Sequence, residues 1–222
     1  MSTEHEEVQR LKRGSWRDNH FLFLLVVVNF ILTPLITSML SLDGAVMTVL
    51  NFSLLIIAGC VLAHRKRARI FGLVFGAITL IAVWVEFGMH HLEQIHVTRM
   101  VSSLVLFVWL FWILVAKFID AKRINGQMIS GAISGYVILG IIGGVLFEIL
   151  EYHMSESIAV GTDISGYSFY YFSFVSLTTV GYGDITPLTP QAQSLAVVLS
   201  IIGQFYLTLG VAIFVGKYLN QN

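Results

Sequence analysis

Six stretches of this chain are apolar over the length of a membrane span, and no other feature restricts the fold as much. They run approximately from Phe21 to Leu40, Ala45 to Ala63, Ile70 to His90, Met100 to Ile119, Met128 to Leu150 and Ala192 to Tyr218. A hydrocarbon layer about 30 Å thick, crossed at about 1.5 Å per residue, takes about 20 such residues as a helix. Backbone groups in lipid have no water to bond, so each span must satisfy its own N–H and C=O groups, as a helix does. Composition agrees: 56% of the 222 residues are hydrophobic and 12% charged, more apolar surface than a water-soluble domain of this size buries. The expected fold is an all-α membrane protein.

Basic residues set the orientation, because short loops rich in Lys and Arg stay in the cytoplasm. Arg10, Lys12, Arg13 and Arg17 precede the first span. His64 to Arg67 and Arg69 join the second span to the third, and Lys117, Lys122 and Arg123 follow the fourth. The opposite loops hold Asp43, the stretch His90 to His96, and Glu151 to Asp163, with Arg99 their one Lys or Arg. Every loop agrees with both termini in the cytoplasm of a cell whose plasma or cytoplasmic membrane holds the chain. Segment 1–20, with the amphipathic stretch Val8 to Trp16, reads as cytoplasmic and able to lie along lipid. A four-helix unit is expected at 21–120, a cytoplasmic linker at 121–129 and a second unit at 130–218.

Several functions are disfavoured. Thirteen basic and thirteen acidic residues balance, leaving no basic footprint for nucleic acid. Cys60 is alone, lies in an apolar run and reads as core. No nucleophile motif, phosphate-binding glycine loop or set of metal ligands is present, so neither an enzyme nor a cofactor is expected. Glu148 and Glu151 close the fifth span, where solvated acids collect. Gly72 and Gly76, Gly131 and Gly135, and Gly140 and Gly144 have the spacing of close helix packing. Pro34 is expected to kink the first span, a defect that membrane helices tolerate.

Tyr167 to Leu177 is an aromatic-rich run too short to cross a bilayer, so it should enter and return. Non-helical backbone at membrane depth is allowed only beside protein or water, which places Thr178 to Gly183 against one or the other. The order Thr178-Thr179-Val180-Gly181-Tyr182-Gly183-Asp184 suits a cage for a dehydrated cation. Backbone carbonyls form such a cage if successive residues turn them to one side. Alternating left- and right-handed backbone angles do this, and Gly181 and Gly183 carry no Cβ to penalise positive φ. Val180 and Tyr182 then point away, where the tyrosine is expected to pack on Tyr170, Tyr171 and Phe172. Thr179 adds a hydroxyl below the carbonyls, and Thr178 supports the short helix. The carboxyl end of that helix, partly negative, favours a cation at its tip.

This segment resembles the selectivity filter of the tetrameric potassium channels, and Ser130 to Tyr218 resembles their pore domain. The resemblance implies a homotetramer around one axis, with Thr179, Val180, Gly181, Tyr182 and Gly183 of each copy lining the potassium path and the first four of these coordinating the ion. It implies filter support from Thr178, Tyr171, Phe172 and Asp184, the last through a hydrogen bond with Tyr171. Gly203 stands where related inner helices bend, and Gly203 and Gly210 are candidate gating hinges. Potassium is the permeant ligand, and lipid and other copies of the chain are the partners.

The chain departs from voltage-gated relatives in its fourth span, which has no basic residue from Met100 to Ala116. One charge moved through 100 mV is worth about 2.3 kcal/mol, and steep gating takes about 3 to 4 charges per subunit. Strong voltage dependence is not expected, and Glu86 and Arg99 are expected to pair near the outer surface. With the sequence ending at Asn222, a cytoplasmic nucleotide- or calcium-binding domain after the sixth span is not expected. His90, His91, Glu93 and His96 form an outer cluster able to sense protons or hold a metal weakly, although solvated interfacial histidines look similar. The alternative function is a potassium transporter or accessory subunit with a re-entrant loop, which the lack of internal repeats disfavours.

Overall fold

The computed structural model describes residues 20–63, 66–88, 93–121, 124–160 and 166–219. Segment 1–19 with Val8 to Trp16, the pair His90 and His91, and the basic residues His64, Arg65, Lys122 and Arg123 lie outside the described residues.

Six long helices carry the fold: α1 (His20–Leu40), α2 (Gly44–Val61), α3 (Lys66–Gly88), α4 (Glu93–Asp120), α5 (Gly126–His153) and, after a short helix, α7 (Pro190–Leu219). Each is long and apolar enough to cross a membrane. The short helix α6 (Gly166–Leu177) lies between α5 and α7, flanked by two three-residue strands, β1 (Ile158–Val160) and β2 (Ile185–Pro187). The strands pair antiparallel, with Ala159 opposite Thr186. The architecture is that of an all-α multi-pass membrane protein, and among the described residues the short helix α6 and the two-stranded ladder are the regular structure that the apolar spans do not announce.

Local chemistry sets several boundaries. Asp43 caps α2 by accepting from the backbone N–H of Ala45 at 2.8 Å, and Asn125 caps α5 by accepting from that of Met128 at 2.8 Å, which satisfies amide donors a helix start leaves orphaned. α1 continues as one helix through Pro34. Its neighbours Thr33 and Thr37 donate back to the carbonyls of Asn29 and Pro34.

α5 is the hub. It packs against α1, α4, α6 and α7, and Ile138, Ile141, Val145 and Phe147 are fully buried on it. In lipid, helices gain little by hiding apolar surface from water, so close van der Waals contact must hold them together. The glycines supply that contact. A side chain at Gly140 would collide with the Phe174 ring, and one at Gly144 with the Tyr170 ring. Gly72 likewise seats Trp109, and Gly76 faces Cys60, which is buried as core. The small residues thus receive rings and side chains from neighbouring helices.

α7 is the opposite case. Ala192, Leu199 and Gly203 are its buried residues, while Val197, Val198, Ile201, Phe205, Leu209 and Val211 stand exposed on the single chain.

Candidate functional site

α6 ends at Leu177, and the chain then runs without helix to β2. Its last turn is tied in place by other elements. Ser173 donates to the carbonyl of Gly140 at 2.6 Å, Tyr136 to that of Leu177 at 3.3 Å, and Ser200 to that of Ser176 at 2.8 Å. Two helices, α5 and α7, thereby fix the partly negative end of α6, from which the following backbone departs. Thr178 donates its hydroxyl to Phe174 O at 2.7 Å, supporting the short helix. The N–H groups of Val180 and Gly181 both reach the Val175 carbonyl, at 3.1 and 3.4 Å.

The segment beyond has a regular alternation. Thr179, Gly181 and Gly183 have φ of 59°, 58° and 80°, and no other residue between 178 and 184 has positive φ. Glycine adopts this region freely, whereas an L-residue with a Cβ does not. Thr179 is therefore the member whose left-handed geometry the glycine pattern alone does not reveal. Its hydroxyl accepts from Gln204 Nε2 of α7 at 3.4 Å. Residues 178–184 are all exposed on the single chain, with Val180 at 51% and Tyr182 at 71%.

The outer end is braced by Asp184. Tyr171 donates to its Oδ2 at 2.6 Å, and its own following amide, Ile185 N–H, reaches Oδ1 at 3.1 Å. The phenol holds the Asp184 carboxyl below its ordinary range, because a hydrogen bond to the charged form favours that form. Just behind, Glu151 gathers the β1 approach. Its carboxylate accepts from the Ser157 hydroxyl at 2.6 Å and from the backbone amides of Glu156, Ser157 and Ile158. Glu151 is a structural anchor, not a solvated acid.

The aromatic cuff is arranged differently from the expected one. Tyr170 is buried against Phe30 and Phe52, with ring centroids 5.4 and 6.0 Å away. Phe172 packs on Phe147 at 4.7 Å. Both rings therefore face their own bundle and not Tyr182. Consecutive helical residues are turned about 100° apart, so three adjacent aromatics cannot share one face. Of the three, Tyr171 faces the segment.

Gly203 of α7 lies against the end of α6, where an added Cβ would strike the Leu177 carbonyl. Gly210 has open space around it, and α7 is one continuous helix through both.

The charges on α3 to α5 converge away from the segment. Arg99 forms ion pairs with Glu86 and with Glu148, each at 2.5 Å, and His96 Nδ1 lies 2.7 Å from Glu86. The Glu86–Arg99 pair was expected near the outer surface, but Glu148 joins it with its side chain only 11% exposed, which corrects the reading of that acid as solvated. Among the described residues no group of His, Cys, Asp and Glu is placed to hold a metal. Glu93 and His96 are the described members of the outer cluster, and His96 is engaged by Glu86.

Residues 133–220 match a family model described as "Ion channel", so the part of the chain from α5 through α6 and the 178–184 segment to the end of α7 is similar to an ion-channel domain. Comparison with curated proteins and with solved structures gives no match.

Proposed function

We propose that four copies of this chain surround one axis in the membrane and conduct potassium ions passively and selectively through a pore lined by residues 179–183. The alternation of positive φ at Thr179, Gly181 and Gly183 carries this reading. It is the backbone pattern that turns successive carbonyls to one side, and four such strands facing each other offer a dehydrated cation rings of oxygens in place of its water. Thr179, Val180, Gly181 and Tyr182 supply the cage, with the Thr179 hydroxyl at its inner end.

Two further observations support four-fold assembly. The segment stands exposed on the single chain, yet backbone of this kind at membrane depth needs protein or water around it. The apolar face of α7 likewise lacks a partner among the described residues of its own chain. Neighbouring copies cover both, and α7 lines the pore below the filter. Gly203 and Gly210 serve as the points where α7 bends on opening. Both termini lie in the cytoplasm.

Gating by voltage is weak in this reading. Arg99 and Lys117 are the Arg and Lys of α4, and the Arg99 guanidinium is held between two carboxylates. One pinned charge falls short of the about 3 to 4 that steep gating takes.

The test is the reversal potential of purified protein in planar bilayers under unequal potassium and sodium, beside Gly181→Ala. A potassium-selective current that the variant loses is the expected result. A current indifferent to the two ions overturns the assignment of the filter, and a variant that conducts selectively overturns the role of Gly181.

A further inference from the structure

A cavity of about 660 Å³ opens between α1, α2, α3 and α4 and reaches α5 and the start of α6. Its volume falls in the range of small-molecule sites, which pair apolar walls with a few convergent polar groups. Here Phe30, Phe52, Val83 and Phe87 form the walls, and Glu86, Arg99, Glu148 and His96 gather at one side. Nothing in the proposed conduction path uses this space.

The polar side carries more acids than fixed cations. Arg99 directs Nε to Glu86, and Nη1 and Nη2 to Glu148, so its guanidinium is committed to carboxylates and is not free for an anion. Two carboxylates against one guanidinium leave one negative charge in excess when His96 is neutral. Tyr170, only 4% exposed, lines the same cavity. Among the described residues its buried hydroxyl has no hydrogen-bond partner, a condition that costs free energy and is uncommon in folded proteins. The unmet demands are therefore a positive charge and a partner for a phenol, next to aromatic faces that attract cations.

We propose that this cavity binds an organic ammonium carrying an apolar body. The ammonium sits beside Glu86 and Glu148, and the body lies among Phe30, Phe52 and Phe87. Such a ligand bridges the four-helix unit to Tyr170 of α6, the helix that leads into the 178–184 segment. The inference is independent of conduction, since it concerns equilibrium binding at a separate place.

The experiment is calorimetric titration of the full chain in detergent micelles with n-hexylammonium, using n-hexanol as the apolar control. Saturable binding of the ammonium and none of the alcohol is expected. Glu86→Gln should weaken it about tenfold. Ala45→Trp adds bulk at the exposed lip of the cavity, leaves every charge in place, and should abolish it. Phe205→Ala, on the exposed face of α7, should leave the affinity as it is. Equal uptake of ammonium and alcohol overturns the proposal, as does unchanged affinity in both cavity variants. Loss in Phe205→Ala instead would seat the cation on α7 and overturn it too. Should Glu86→Gln fail to fold, Ala45→Trp decides alone.

Discussion

The Tyr171 phenol and the Asp184 carboxylate, 2.6 Å apart, join the outward face of α6 to the residue that closes the 178–184 segment. The bond spans the stretch of chain in which Thr179, Gly181 and Gly183 take positive φ, so it fixes both ends of that irregular backbone relative to each other.

Removing the phenol should make the segment sensitive to acid. Tyr171 holds the Asp184 carboxyl below its ordinary range, so the folded value is depressed. The bond's contribution is then fully present above the unfolded carboxyl value and is lost as pH falls through the folded one. Tyr171→Phe should raise the Asp184 midpoint and move any acid-induced loss of current to higher pH. Paired pH titrations of current in the native chain and the variant check this, and coincident curves would refute it.

Arg99 and Glu148 are 12% and 11% exposed; removing Arg99 strands Glu148, whereas removing Glu148 leaves Arg99 its pair with Glu86. Arg99→Met should destabilise the fold by about 3–5 kcal/mol, and Glu148→Met by less, because Glu86 still holds the guanidinium. Replacing both by methionine should recover much of the Arg99→Met loss, because the buried Glu148 charge is removed as well and Glu86 keeps His96. Denaturant unfolding in micelles gives the four values of the double-mutant cycle, and additive losses would contradict the coupling.

Gly203 and Gly210 should separate sharply. A Cβ at Gly203 meets the backbone carbonyl of Leu177, which cannot swing aside like the tip of a side chain, whereas Gly210 has free space. Gly203→Ala should cost about 1–3 kcal/mol and lower the yield of assembled protein, with Gly210→Ala near native. Equal behaviour in unfolding and size-exclusion profiles would count against the close approach.

At the other end of the bundle, Lys217 Nζ donates to the carbonyls of Phe118, Ile119 and Ala121 at 3.0, 2.7 and 2.5 Å. An ammonium among the last carbonyls of α4 is favoured by the helix dipole as well as by the bonds. Lys217→Met should cost about 1 kcal/mol and free the end of α7. Hydrogen exchange should then quicken across residues 213–219 and leave α5 unchanged; unaltered exchange would dismiss the clamp.

The membrane spans were legible because a run of apolar residues dictates a helix in lipid without reference to neighbours. The 178–184 segment was legible because glycines at alternate positions carry a backbone preference in their own chemistry. The caps at Asp43 and Asn125 act within three residues and lie in the same class. Contacts across long sequence distance were another matter. Glu148 looked like a solvated acid because its partner Arg99 stands 49 positions away. Glu151 looked the same because the Glu156 and Ser157 amides it gathers belong to a loop.

Faces were equally hidden. α6 is apolar or aromatic nearly all round, so no polar stripe distinguishes the side of Tyr171, which meets Asp184, from the sides of Tyr170 and Phe172, which enter the bundle. Sequence by itself settled how many helices form and where the backbone must leave helical geometry, since both follow from local composition and intrinsic backbone freedom. Only the tertiary structure decided which charges meet, which glycines receive rings and which face of α7 is left bare. Those outcomes depend on how six helices, each hydrophobic on every side, find the few orientations in which their surfaces pack without voids.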